Sequence, residues 1–193
     1  MKKRLLITGS TFPRYENDTE PRFILDLAKY MKEYAEVTVL VPAAPKAADT
    51  EVLEGVSVIR YHYFPVHSLE TLCYPGAIVP RIREKKVRGL LVPWLFVSLW
   101  VHLFKMRKSY DIVQANWLIP QGIVQSFLKK PYIVTGHGAD VTSLNRGLLK
   151  KLKKRCLKNA WGVTAVSRPL MDVLDGIYKN GNQAVISMGC DTS

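Results

Sequence analysis

Short runs of β-branched and aliphatic residues alternate with longer segments of helical spacing along almost the whole chain, which constrains the fold more than any other feature. The strand-like runs are residues 4–8 (RLLIT), 36–41 (EVTVLV), 56–61 (VSVIRY), 111–115 (DIVQA), 131–135 (PYIVT), 162–166 (GVTAV) and 184–187 (AVIS). Between them, Phe23, Leu27, Tyr30, Met31 and Tyr34 repeat at helical spacing. Further helices are expected up to about residue 108 and near 121–128, 148–158 and 169–178. Strands alternating with helices predict an α/β fold with a doubly wound, Rossmann-like parallel sheet of six or seven strands, covered on both faces. The Ala- and Pro-rich segment 42–49 reads as a loop.

A chain of 193 residues can bury one sizeable α/β core, and 48% apolar residues place it among globular proteins. Cys73, Cys156 and Cys190 are scattered and form no CxxC pair. That argues against a disulfide framework or a zinc site and fits a reducing cytoplasm. The basic start followed by Leu5, Leu6 and Ile7 is too short an apolar run for a signal peptide. The longest apolar run, 90–104, has fifteen residues, interrupted by Pro93 and His102. A spanning helix needs roughly 20, so this run predicts a buried or interfacial helix.

In an open parallel sheet, ligands lie beyond the carboxyl ends of the strands, which directs attention to the loops there. GxGxxG does not follow the first strand, and GxxxxGK[ST] is absent, which weakens dehydrogenase and NTPase readings. The loop after the first strand instead runs through Phe12, Pro13, Arg14, Asp18 and Thr19. Asp18 or Thr19 is placed to cap the next helix, with Pro21 in its first turn, and such a helix start offers amides to an anion. After the fifth strand comes Thr135-Gly136-His137-Gly138-Ala139-Asp140. A histidine between glycines at a strand end can donate to a sugar hydroxyl or phosphate oxygen, or serve only as a satisfied structural residue. Phe12, Pro13, Arg14, Asp18 and Thr19, with Gly136, Gly138, Asp140 and Ser167 at the end of another strand, are therefore candidate substrate-binding residues beside His137.

These motifs together resemble the family-4 retaining glycosyltransferases. The matching pieces are Phe12-Pro13-Arg14, residues 111–122 (DIVQANWLIPQG), 131–140 (PYIVTGHGAD), 163–167 (VTAVS) and 185–191 (VISMGCD), in the family's order and spacing. The resemblance implies a GT-B architecture, of which residues 1–187 form the N-terminal, acceptor-side domain and 188–193 the start of the linker. The donor-binding domain would lie outside this chain. It implies that His137 contacts the donor sugar, that the chemistry retains anomeric configuration, and that neither metal nor cofactor is needed. Asn116, Trp117 and Gln121 are candidates for the acceptor side. The family's paired glycines in the first loop are replaced here by Asn17-Asp18-Thr19-Glu20-Pro21, and histidines of its relatives by Gln114 and Asn116.

A net charge of +12 implies attraction to an anionic partner. Basic residues 81–88 and 105–108 flank the apolar run, and a second cluster from Arg146 to Lys158 faces away from Leu149, Leu152 and Cys156. This pattern suits an anionic membrane surface and predicts a cytoplasmic protein bound peripherally to the inner face of a membrane. The expected partners are a nucleotide-sugar donor, a sugar or lipid-linked acceptor and that surface. A basic, non-catalytic nucleic-acid module is the alternative. No recognised nucleic-acid motif accompanies the basic residues, so nucleic acid is not an expected partner.

Overall fold

The computed structural model describes residues 2–189. Cys190 and residues 191–193 of the expected linker lie outside the described residues. An eight-stranded sheet, ordered β3-β4-β2-β1-β5-β6-β7-β8, forms the centre of the molecule. Its strands are β1 (Lys3–Thr8), β2 (Ala35–Pro42), β3 (Thr50–Leu53), β4 (Val56–Tyr61), β5 (Ile112–Asn116), β6 (Tyr132–Gly136), β7 (Gly162–Ala165) and β8 (Gln183–Val185). All neighbours pair in parallel except β3, which pairs antiparallel with β4.

Side chains alternate across a strand, so each strand divides its residues between two cores. Leu5 and Ile7 of β1, Val37, Val39 and Val41 of β2, and Val56 and Val58 of β4 share one core with α1 (Phe23–Met31). Leu6, Leu40, Tyr61, Val113, Tyr132 and Val134 point the other way, into a core about twice as populous. The helices over that larger core are α3 (Val92–Met106), α4 (Ile123–Gln125), α5 (Ala139–Thr142), α6 (Gly147–Asn159) and α7 (Arg168–Asp175). A short α2 (Ile78–Glu84) precedes a 3₁₀ segment, Lys86–Leu91, that runs into α3.

Four expectations need correction. The sheet has helices on both faces, as expected, but the cover on one of them is partial: α1 is the only described helix on that side. There β5, β6 and β7 carry a polar ladder in which Gln114 Nε2 donates to Thr135 Oγ1 at 2.6 Å and the Thr135 and Thr164 hydroxyls bond at 2.7 Å. Such a ladder satisfies itself without an apolar cover. Neither Asp18 nor Thr19 caps α1. Its first residue follows Arg22, which makes no side-chain cap, and Asp18 is already held by Arg14. The apolar run 90–104 belongs to a longer helical stretch, Lys86–Met106, of 21 residues with mean hydropathy 1.6, long enough by length and composition to cross a membrane. Only the length needs correcting: the helix lies against the sheet, with Leu91, Leu95, Leu99 and Leu103 in the larger core, as a buried helix was expected to. Finally, Lys153 of α6 is buried rather than on the basic face. Its ammonium donates to the carbonyls of Val141 and Ser143 and to Asn145 Oδ1.

Candidate active site

Chain order reverses between β1 and β5, so the carboxyl ends of these strands and of β6 surround the switch point of the sheet. His137 follows β6 there. Its backbone N–H, and that of Gly138, donate to Asp140 Oδ1 at 3.1 and 2.9 Å, while Asp140 Oδ2 accepts from the Leu118 amide at 2.8 Å. Asp140 therefore ties the loop after β6 to the loop after β5 and has little capacity left for a ligand. Gly136 is demanded by packing: a Cβ there would stand 2.5 Å from Val141 Cγ2. The missing side chain lets Val141 of α5 sit close against the strand end.

The imidazole of His137 lies between two aromatic rings, with centroids 4.9 Å from Trp117 and 5.2 Å from Phe23. Burial pushes its pKa below the ordinary value, and the Asp140 carboxylate opposes this only in part, so the ring is neutral at physiological pH. Its Nε2 lies 3.1 Å from Asn116 Oδ1. Asn116 is buried, and its Nδ2 donates to the Thr8 carbonyl at 3.2 Å. Trp117 has a backbone φ of +73°, where a bulky residue is strained by about 1–3 kcal/mol. The packing of the half-buried indole on His137 and Phe23 helps to hold that backbone in place.

Gln121 is buried and donates through Nε2 to Ser10 Oγ at 3.2 Å, while its Oε1 has no partner among the described residues. It lies beneath the loops rather than on them. In the first loop, Arg14 donates through Nε and Nη2 to the two oxygens of Asp18 at 2.9 and 3.1 Å. Asp18 also accepts from the backbone amides of Arg14 and Thr19 and from Tyr74 Oη at 3.3 Å. The guanidinium and these amides bring the Asp18 carboxyl down to about 2. Phe12 and Pro13 are buried. Arg60, itself buried, lies over the Phe12 ring and donates to the Pro13 carbonyl at 2.9 Å. Thr19 is exposed, and Ser167 is the half-buried residue before α7, with no side-chain cap. The structure thus brings His137, Asn116, Trp117, Gly136, Gly138 and Asp140 into one constellation. Phe12, Pro13, Arg14 and Asp18 form a second, self-bonded cluster at the same edge.

The family model described as Glycosyltransferase Family 4 matches residues 21–193. The chain belongs to Glycosyltransferase Family 4. The match covers every motif quoted for the resemblance except Phe12-Pro13-Arg14. No curated protein matches the chain. Among solved structures, a sucrose-phosphate synthase from Thermosynechococcus elongatus is similar with a TM-score of 0.61 at 18% identity, over 98% of this chain and 90% of that one. HepE from Anabaena, in complex with UDP and glucose, is similar with a TM-score of 0.57 at 14% identity, over 98% of this chain but only 45% of HepE. The fold of this family-4 domain is the Rossmann-like one expected of the N-terminal half of a GT-B enzyme.

Two residues that pack into these clusters were not expected from the sequence. Phe23 looked like a core position of α1, and its helical spacing concealed that it also packs on His137. Tyr74 lies in the loop between β4 and α2, and its ring covers the Arg14 guanidinium at 4.3 Å. Nothing in local sequence signals a partner 60 residues away. A cavity lined by Arg4, Glu36, Thr38 and Tyr110 opens among residues at the amino ends of β1 and β2, the edge opposite His137.

Proposed function

We propose that this domain is the acceptor-side half of a retaining glycosyltransferase. In the reaction, an acceptor hydroxyl on a lipid-linked or glycan substrate takes a hexosyl unit from a nucleotide sugar, and the nucleoside diphosphate leaves. Family membership supports the reaction class. The observation that carries the site is the neutral, aromatic-flanked His137 whose orientation Asn116 and Asp140 set at the switch point. With Nε2 committed to Asn116, the lone pair on Nδ1 is available to accept from a sugar hydroxyl, and Trp117 adds an apolar face on which a sugar ring can stack. Interactions of this kind position the sugar without changing its chemistry.

Because the chain spans 45% of HepE, donor capture in this proposal needs a partner domain in a longer protein, and the 193-residue chain alone transfers no sugar. His137→Ala in the longer protein is expected to lower turnover by about 10²-fold, the scale of losing one positioned contact. Its melting temperature should shift little, since the ring is only partly buried. The assay is transfer from a panel of nucleotide sugars to polyprenyl-phosphate-linked and free glycan acceptors. Unchanged turnover in a folded variant rejects the role of His137. Loss of the fold instead assigns the residue to structure.

A further inference from the structure

The helical stretch Lys86–Met106 carries two apolar sides, parted along one flank by Ser98 and His102, yet only one of them is packed. Leu91, Leu95, Leu99 and Leu103 recur every fourth residue and enter the larger core. On the opposite side, Leu90, Trp94, Val97, Trp100 and Phe104 are between 41% and 72% exposed, and no polar side chain interrupts them. The face that a surface helix turns to water is ordinarily polar, and large contiguous apolar patches mark interaction surfaces. Within the described residues this face is open.

The charges around the patch identify what covers it. Arg83, Lys85 and Lys86 stand exposed at its amino end, and Lys105, Arg107 and Lys108 at its carboxyl end. Glu84 is the sole acid between residues 81 and 110, and it is already paired with Arg81 at 2.9 Å and Arg88 at 2.7 Å. The Arg107 guanidinium lies 4.0 Å from the centroid of the Phe104 ring, which stacks on Trp100 at 5.3 Å. A protein partner would have to bury or match six cations, whereas an anionic bilayer meets them with headgroups and accepts the apolar strip below. Tryptophan favours that interfacial depth.

We infer that the outward face of α3 is a membrane-insertion surface that lies flat in the interface of an anionic bilayer. Spanning is excluded by the four leucines, which would have to leave the sheet core. Insertion by about 5–10 Å is the depth open to a helix held in this way. The amino end of α3 adjoins the carboxyl edge of the sheet, where Trp94 packs edge-on against Phe64 at 5.5 Å, just beyond β4. A docked domain therefore opens its site beside the bilayer surface. The inference stands whether or not the chain takes part in sugar transfer.

Vesicles of phosphatidylglycerol mixed with phosphatidylcholine should retain the protein in co-sedimentation, and vesicles of phosphatidylcholine alone should not. Val97→Glu with Phe104→Glu should weaken retention by about tenfold or more, since each side chain loses apolar burial and gains a buried charge. Lys150→Glu with Lys154→Glu on α6 should change it much less. As a measurement independent of these variants, lipids brominated at shallow acyl positions should quench the tryptophan fluorescence. Trp94→Phe with Trp100→Phe should abolish that quenching. The inference is overturned if retention survives the α3 substitutions, if only the α6 substitutions remove it, or if bromolipids leave the fluorescence unchanged. It is also overturned if sedimentation velocity finds a dimer that Val97→Glu and Phe104→Glu dissolve while wild-type protein ignores vesicles.

Discussion

Asn116 has both atoms of its amide committed. Its nitrogen faces the Thr8 carbonyl, which can only accept, so its oxygen must face His137, and the neutral ring must carry its proton on Nε2. The expectation that His137 donates toward a ligand therefore reverses for the neutral ring: Nδ1 accepts. Its lowered pKa has a definite sign. Just below the unfolded value of 6.5 the unfolded chain binds more protons than the fold, so the histidine lowers stability as pH falls and has no effect above that range. Asp18 acts with the same sign in a more acidic window, since its pKa is lowered too. Its folded pKa of about 2, against 3.8 for the free group, contributes stability that is complete above about pH 4 and is lost as pH falls toward 2. Asp18→Asn should accordingly cost about 2 kcal/mol at neutral pH, the size of that shift. Urea denaturation should find this difference narrowing toward pH 2. A cost that stays constant with pH would assign the loss to hydrogen bonding alone.

At the scale of elements, periodicity revealed the seven parallel strands, and it placed α6 within a residue at each end. It failed where the deciding contact is distant or the turn chemistry is unusual. The hairpin of β3 and β4 turns through Glu54 and Gly55, both with positive φ (47° and 78°). Two such residues are the mark of a tight type I′ hairpin, whose common sequence signal is Asn-Gly or Asp-Gly. Glu54 hides that signal. Its carboxylate is held by Arg22 at 2.6 Å and Lys29 at 2.8 Å, contacts that only the fold supplies. Lys153 escaped for a related reason, because helical spacing assigned it to the wet side of α6. Its ammonium instead closes the turn after α5, and burial lowers its pKa. Lys153→Glu should therefore destabilise the domain by roughly 3–5 kcal/mol, the cost of an uncompensated buried charge. Lys154→Glu, one position along on the exposed side, should cost less than about 0.5 kcal/mol. Thermal melts of the two variants decide whether position 153 belongs to the core.

Across the whole molecule, fold class and the place of the candidate site at the switch point were legible because strand ends and switch points follow from chain order. The arrangement of the two cores was not, because it depends on which crossings share a side of the sheet. That inequality sets a gradient of local opening free energy, since regions with fewer buried apolar contacts open first. The layer beneath α1, with β2, β3 and β4, should open more readily than the body formed by β5–β7 with α3 and α6. Native-state hydrogen exchange should then find a subglobal unit comprising α1 and the β3–β4 hairpin, exchanging ahead of Val113, Val134 and Val163. Uniform protection would mean that the two layers unfold as one. The Arg14–Asp18 loop is tethered to the looser unit through Phe12 and Arg60, while His137 is mounted on the tighter one. On that expectation one side of the candidate site is compliant and the other stiff, a pairing that lets a ligand mould the loop while the imidazole keeps its aim.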